Sequence, residues 1–463
     1  MSQLFSARSI AFAGGPLAAL ALAYSMHAAG APTGQVWTGA VTVLCVVWWI
    51  FEPIPYAVTS LVPIAVFPFV GVLTPAQVAA AYGNEIVLLL MGGFILSTAM
   101  ERSGAHRRIA LGMIATVGGG SSKRIVFAFL IATVLVSMWI SNTASALMLL
   151  PVALAIVEQS PDPKLGPALM LAIAYGASVG GMGTPIGSPP NLLFMQAYSA
   201  ATGQKVSFFE WMTWGVPLVL IFTPVLGLYL TRNLHHRGEV VIPTAGPWRK
   251  HEVRVLIVFA LAALAWMTRS APNGGWSGWF GIHGATDAGV ALLAVIAMFL
   301  LPNGAGKGER LLDWDAAQSI PWGILLLFAG GITIASAFTE SKLSDVLGHG
   351  LSALSALPPV ILIAVLALGV TLISEAASNT ATAALLMPIM AAAAVGAHLD
   401  PKLLMLPAVL GASCGFMLPI ATGPNAAVFS TGRLTAGYMA REGAAVDVMG
   451  AIIITVVCYV LLR

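Results

Sequence analysis

The sequence predicts an all-α polytopic membrane protein whose two halves are inverted copies of one another. Three observations predict it. Of the 463 residues, 58% are hydrophobic and only 8% are charged, whereas an ordinary soluble domain carries roughly 25% charged residues. Several stretches reach the ~20 apolar residues a helix needs to cross a bilayer. They run continuously instead of alternating, which argues against a membrane barrel. Third, one polar break occurs twice in matching surroundings: Ser141-Asn142-Thr143 in SMWISNTASALMLLP, and Ser378-Asn379-Thr380 in SEAASNTATAALLMP, with Pro151 and Pro388 at the same offset. Each is followed by a second break, GTPIGSPPN ending at Asn191 and LPIATGPN ending at Asn425. Paired polar breaks in an apolar chain point to a site shared between two related halves.

The elements follow in order. The apolar run 10–29 follows Arg8 and ends in small residues, as a signal peptide would; with so many later spans it reads as an uncleaved first helix. Spans at 36–52, 55–73 and 85–101 lead into an amphipathic basic segment from Arg102 to Ser122. The segment 124–158 is interrupted in its middle by the first triplet, leaving arms of about 15 residues, short of a perpendicular crossing. A re-entrant hairpin with its polar tip near the midplane accounts for both length and polarity, since protein or a water-filled cavity can surround such a tip. A broken span at 166–200 and a full span at 207–231 come next. The longest polar stretch, Arg232 to Arg254, is too short for a soluble domain. Spans at 253–270, 286–301 and 319–339 precede a short surface segment at 340–352. A second hairpin at 358–397 opens on Pro358-Pro359, residues suited to a helix start. A broken span at 402–437 and a last span at 443–462 complete about eleven crossings and two hairpins. The 48 glycines and 28 prolines suit close-packed and broken membrane helices.

With the N-terminus in the cytoplasm, the inside loops hold 16 of the 21 Lys and Arg residues, leaving Lys205, Arg269, Lys342, Lys402 and Arg463 outside. The positive-inside rule selects that orientation. Five crossings separate the triplets, an odd number, so the hairpins enter from opposite faces. LLLMGGFILSTAM at 88–100 and LLLFAGGITIASAF at 325–338 repeat the relationship upstream.

At such breaks, backbone N–H and C=O groups lose their helical partners. Helix N-termini favour anions, while freed carbonyls and Ser, Thr and Asn oxygens suit a hard cation such as Na⁺. Neither tip and neither break contains a basic residue, so bound cations would compensate a carboxylate in the low-dielectric interior. The glycine-rich GASVGGMGTPIG fails as a nucleotide loop, for no Lys-Ser/Thr follows it.

These residues resemble the divalent anion/sodium symporter (DASS) family, which includes dicarboxylate, citrate and sulfate transporters; the resemblance covers nearly the whole chain. It implies a homodimer in which a transport domain moves as an elevator against a fixed scaffold. Residues 1–84 would be scaffold helices, 85–206 the first transport region, 207–318 connecting and scaffold helices, 319–440 the second transport region, and 441–463 the last helix. By the same resemblance, one sodium site would use Ser137, Ser141, Asn142 and the Gly187 backbone, and the other Ser374, Ala377, Asn379 and the Ala421 backbone. Substrate carboxylates would meet Asn142, Thr143 and Ser188 from one half and Asn379, Thr380 and Thr422 from the other, with Pro190 and Pro424 shaping the pocket. Ser374 stands where relatives often carry Thr, which bears on ion affinity.

The expected function is Na⁺-driven import of C4-dicarboxylates such as succinate, malate or fumarate across the cytoplasmic (inner) membrane. A sodium-independent exchanger of the same fold, or a citrate or sulfate transporter, is the alternative. An anion channel would need a continuous pore. An enzyme would need an activated nucleophile, and no His or Lys accompanies the hairpin serines. Neither a nucleic-acid partner nor a metal-binding motif is expected. Cys45, Cys414 and Cys458 read as buried thiols, and His235-His236 as an ordinary loop pair. Asp287 and Glu52 read as solvated span ends. Glu375 is left open between a functional carboxylate and a locally paired one, and the Arg102–Arg108 cluster reads as lying along the membrane surface.

Overall fold

The computed structural model describes residues 7–235, 246–270, 274–306, 308–350 and 357–462. Of the residues singled out above, His236 and Arg463 lie outside them, as do the middle of the Arg232 to Arg254 stretch and the end of the 340–352 segment.

The first half opens with α1 (Ala7–Ala28) packed against α2 (Thr33–Phe51). The expected span 55–73 is two short helices, α3 (Tyr56–Thr59) and α4 (Leu61–Phe69), meeting at Ser60. The hydroxyl of Ser60 bonds back to Tyr56 O at 2.7 Å. Thr74 then starts α5 (Pro75–Tyr82) with a full capping box to Gln77, and Asn84 caps α6 (Glu85–Ser103). The basic segment forms α7 (Ala105–Val117), which buries Ala110, Leu111 and Ile114 and is held to the core by one face. The first interrupted segment is α8 (Ser122–Ser137) and α9 (Asn142–Gln159), joined by residues 138–141; the first broken span is α10 (Leu165–Gly181) and α11 (Pro189–Thr202).

The second half passes through α12 (Phe208–Thr231), α13 (Lys250–Thr268), the short α14 (Gly275–Trp279), α15 (Asp287–Leu300), the short α16 (Trp314–Gln318), α17 (Trp322–Glu340) and α18 (Leu343–Gly350). The second interrupted segment is α19 (Pro359–Ala376) and α20 (Asn379–Gly396), and the second break separates α21 (Pro401–Ala412) from α22 (Gly423–Phe429). The last helix, α23 (Ala436–Leu461), begins at Ala436 and not at 443. Its early start places the polar residues Arg441 and Glu442 on a helix, where Glu442 pairs with Arg232 at 2.6 Å. The boundary expected at 440/441 therefore falls inside this helix.

Ten helices are long and apolar enough to cross a membrane among the described residues, and each of the eleven expected crossings has its helix or broken helix. The chain is a multi-pass membrane protein. Lipid offers no hydrophobic drive for helix–helix association, so close backbone approach matters. In both halves the first arm of the interrupted segment packs on the first part of the broken helix through a glycine. A Cβ at Gly180 would strike the Val134 backbone, and one at Gly411 would come within 2.6 Å of Ala367 O. The interhelix ion pairs Arg102–Asp313, Arg108–Glu252, Lys205–Glu85, Arg232–Glu442, Arg269–Asp287 and Lys402–Glu210 each join residues that the crossing count assigns to the same side.

Candidate functional site

Both triplets begin helices. Ser141 is the N-cap of α9, its Oγ accepting Ala144 N–H at 3.3 Å, and Ser378 is the N-cap of α20, accepting Ala381 N–H at 3.2 Å. This is the ordinary reason a Ser precedes a helix. Here it also turns Asn142-Thr143 and Asn379-Thr380 into first-turn residues. The second breaks do the same: Ser188 stands before α11, with Pro189 at its first position, and Thr422 caps α22 through Asn425 N–H at 3.2 Å. Ser188 makes no capping bond, which leaves its hydroxyl available.

The breaks are stapled alike. Asn191 Nδ2 donates to Gly181 O and Thr184 O, both at 2.8 Å. Asn425 Nδ2 donates to Gly415 O at 2.9 Å and Leu418 O at 3.0 Å. Each amide satisfies carbonyls that the interrupted helix has orphaned. Asn191→Leu or Asn425→Leu removes two such bonds, and each should cost about 2 kcal/mol of stability. Thermal unfolding in detergent is the check, and an unchanged midpoint would show the staples to be dispensable.

The four breaks meet around a cavity of about 230 Å³. Its polar wall is Ser141, Asn142, Thr143 and Ser188 from the first half, with Ser378, Asn379, Thr380 and Thr422 from the second. Gly187, Ala421, Gly423 and Pro424 line it, with Phe94, Ile186 and Ile324 as apolar surfaces. The halves touch directly, because a Cβ on Gly423 would collide with Thr143 Oγ1. No Lys or Arg among the described residues lines the cavity. The N-termini of α9, α11 and α20 border it, so backbone N–H groups supply its positive potential.

Beside the first tip, the outer amide atom of Asn142 lies 2.7 Å from Ser137 Oγ, 3.1 Å from Ala177 O and 3.2 Å from Gly187 O. Ser137 Oγ also reaches Ala177 O at 2.8 Å. As Nδ2, that Asn142 atom donates to Ser137 Oγ and to the two carbonyls; as Oδ1, it accepts the Ser137 hydroxyl and lies against two carbonyl oxygens, a set of oxygens that also suits a hard cation. The second tip repeats the pattern: Ser374 Oγ lies 2.9 Å from Asn379 Oδ1 and 2.7 Å from Ala412 O, and Asn379 Nδ2 reaches Ser413 O at 3.4 Å. Ala177 and Ala412, whose carbonyls enter both clusters, were not singled out in the sequence. Their signal was there, since Ala-Ser precedes the glycines of both breaks.

Of the remaining expected residues, Ser137, Ser374 and Ala377 are buried behind the tips. Pro190 is buried behind the wall, and Pro189 takes the lining position. Trp139 at the first tip stacks on Phe208 and meets Phe259 edge-on, with centroids 6.1 and 5.9 Å apart. Glu375 is paired, its two oxygens accepting the N–H groups of Met417 and Leu418 at 2.7 and 2.9 Å. In the first half, the residue after Ser137 is Met138, and its main-chain oxygen accepts the Thr184 hydroxyl instead.

Asp287 is not solvated. It is 4% exposed, receives Arg269 Nε at 2.5 Å and caps Phe208 N–H at 3.0 Å. Glu52 is half-buried, with a left-handed backbone. The three cysteines are buried and unpaired, and His235 lies exposed beside Asn233 O. A larger cavity, about 400 Å³, lies between α5, α6, α11 and α17. Its cations Lys205 and Arg269 are already neutralised by Glu85 and Asp287, so it offers a dianion less than the smaller cavity does.

Broken helices whose polar ends enclose a small cavity between two halves define a membrane transporter. The comparisons identify which kind. Residues 46–404 match the family model described as citrate transporter (CitMHS), and the chain belongs to that family. It is 37% identical over 445 residues to the sodium-dependent dicarboxylate transporter SdcS of Staphylococcus saprophyticus, covering 91% of this chain and 85% of the relative. It is 36% identical over 469 residues to SdcS of Staphylococcus aureus, covering 96% and 89%. In fold it is similar to the Alcanivorax borkumensis YdaH transporter, with TM-score 0.60, 18% identity and coverage of 82% and 86%. It is also similar to Neisseria gonorrhoeae MtrF, with TM-score 0.56, 13% identity and coverage of 83% and 82%.

Proposed function

We propose that this protein is a sodium-coupled secondary active transporter that imports C4-dicarboxylates. The observation that carries the reading is the cavity itself: paired Ser-Asn-Thr tips and paired breaks, without a basic residue, beside two matching oxygen clusters. A dianion is held by helix N-termini and by hydroxyl and amide groups. Na⁺ is held at one cluster by Ser137, Ser141, Asn142 and the Gly187 backbone, and at the other by Ser374, Ala377, Asn379 and the Ala421 backbone. The substrate meets Asn142, Thr143, Ser188, Asn379, Thr380 and Thr422, with Pro424 in the wall and Pro190 supporting it from behind. The names of the SdcS relatives support both sodium and dicarboxylate.

Na⁺ binding turns the tip amides from donors into ligands and so orders the anion site. The segments 124–158 and 358–397 are re-entrant and enter from opposite faces. The regions 85–206 and 319–440 move together as the transport domain against the remaining helices, within a homodimer in the inner membrane, the N-terminus in the cytoplasm. Succinate uptake into proteoliposomes should require an inward Na⁺ gradient. Equal uptake with K⁺ in its place would remove the symporter reading and leave an exchanger.

A further inference from the structure

One buried group lies outside everything assigned above. Asp447, on α23, is 2% exposed, and no close, well-aligned hydrogen bond reaches either of its oxygens among the described residues. Its neighbours are the Glu375 carboxyl, itself 6% exposed, and the backbone of Phe416, both within longer hydrogen-bonding reach. No ion pair among the described residues includes either acid. The other neighbours are the Tyr175 hydroxyl and the Cys414 thiol, and neither brings positive charge. Glu375 is fixed as an acceptor, because each of its oxygens already takes a backbone N–H. Two buried carboxyl groups face each other with no Lys, Arg or His paired to either among the described residues, an arrangement that is costly unless a proton or a metal cation bridges them.

We propose that Glu375 and Asp447 form a further cation site that takes Na⁺. Both Asp447 oxygens and the lone pairs Glu375 has left supply hard oxygen ligands of the type alkali ions prefer. The site lies behind the second tip, since Glu375 follows Ser374 directly and is bonded to the break at Met417-Leu418. A cation there would tie α23, the end of α19 and that break together. The first half has no counterpart, because Met138 occupies the position of Glu375. The inference rests on the sodium-coupled reading and deepens it. One Na⁺ at each tip only balances a dianion, so an added Na⁺ makes each import step carry net positive charge and respond to membrane potential.

The test is the Na⁺-to-succinate ratio, read as a reversal potential in proteoliposomes, for wild type and Asp447→Asn. Asn is isosteric, lacks the charge and can donate to Glu375, so it reproduces a proton shared between the two acids. The expected result is one fewer Na⁺ per cycle and loss of the voltage response in the variant. An unchanged ratio would overturn the site in favour of a shared proton. Wild-type uptake indifferent to Na⁺ would instead bring down the symporter reading, and this proposal with it. If Asp447→Asn folds but does not transport, ²²Na⁺ bound per protein in detergent gives the answer: one fewer ion supports the site and an equal number refutes it. Asp447→Ser replaces it if the Asn variant is not monodisperse, with the same two outcomes.

Discussion

Asn142→Ala and Asn379→Ala should each reduce Na⁺-driven succinate uptake by about 100-fold, equivalent to ~2.7 kcal/mol. Each Asn lies between two ligands. Asn142 faces the cavity and also closes the oxygen cluster of Ser137, Ala177 O and Gly187 O. Asn379 lines the same cavity and meets Ser374 at 2.9 Å. Truncation removes the amide from both roles at once, and Ala offers no polar atom to either. The capping bonds of Ser141 and Ser378 remain, so both variants should still fold. Initial uptake rates, normalised to the amount of monodisperse protein, are the measurement. Wild-type rates in both variants would show that the cavity between the tips is not the transport site.

Asp287→Ala should destabilise the protein by about 3 kcal/mol, the lower end of the cost of breaking a buried ion pair. The carboxylate holds Arg269 through both oxygens, at 2.5 and 3.3 Å, and caps α12 through Phe208 N–H. Its main-chain oxygen also receives Trp266 Nε1 at 2.9 Å, against which Phe208 stacks. Removing the side chain leaves a guanidinium whose remaining hydrogen bond among the described residues goes to Ala285 O. The adjoining cavity, which Arg269 lines, lets water repay part of the loss, hence the lower figure. Thermal unfolding should show it, and Arg269→Ala on the same background should restore part of the stability, because the stranded charge is gone. A shift within ~0.5 kcal/mol would make this a surface-like pair.

These residues mark where sequence reading reached and where it stopped. The two tips were legible because a polar triplet between apolar arms is a local signal, and its repetition, with a proline-Asn break following each copy, supplied the pairing. The breaks were placed to within a few residues for the same reason. The start of α23 was missed because Arg441 and Glu442 read as a loop until Arg232, far along the chain, is brought against Glu442. Asp287 was misread as solvated because a carboxylate at a helix start ordinarily is, and nothing nearby in the chain announces Arg269 as its partner across the α13–α15 connection.

The sequence by itself determined that this is a multi-pass helical membrane protein, the order of its elements, and which residues begin the four broken helix ends. Hydropathy, helix starts and stops, and internal repetition are all properties of short windows. Only the tertiary structure decided that the four ends surround one cavity, that the carbonyls of Ala177 and Ala412 join the oxygen clusters, and that Glu375 is clamped to a distant break while Asp447 is buried against it. The fate of an ionisable or amide group depends on what another helix carries to it through the low-dielectric interior, and composition along the chain does not record that meeting.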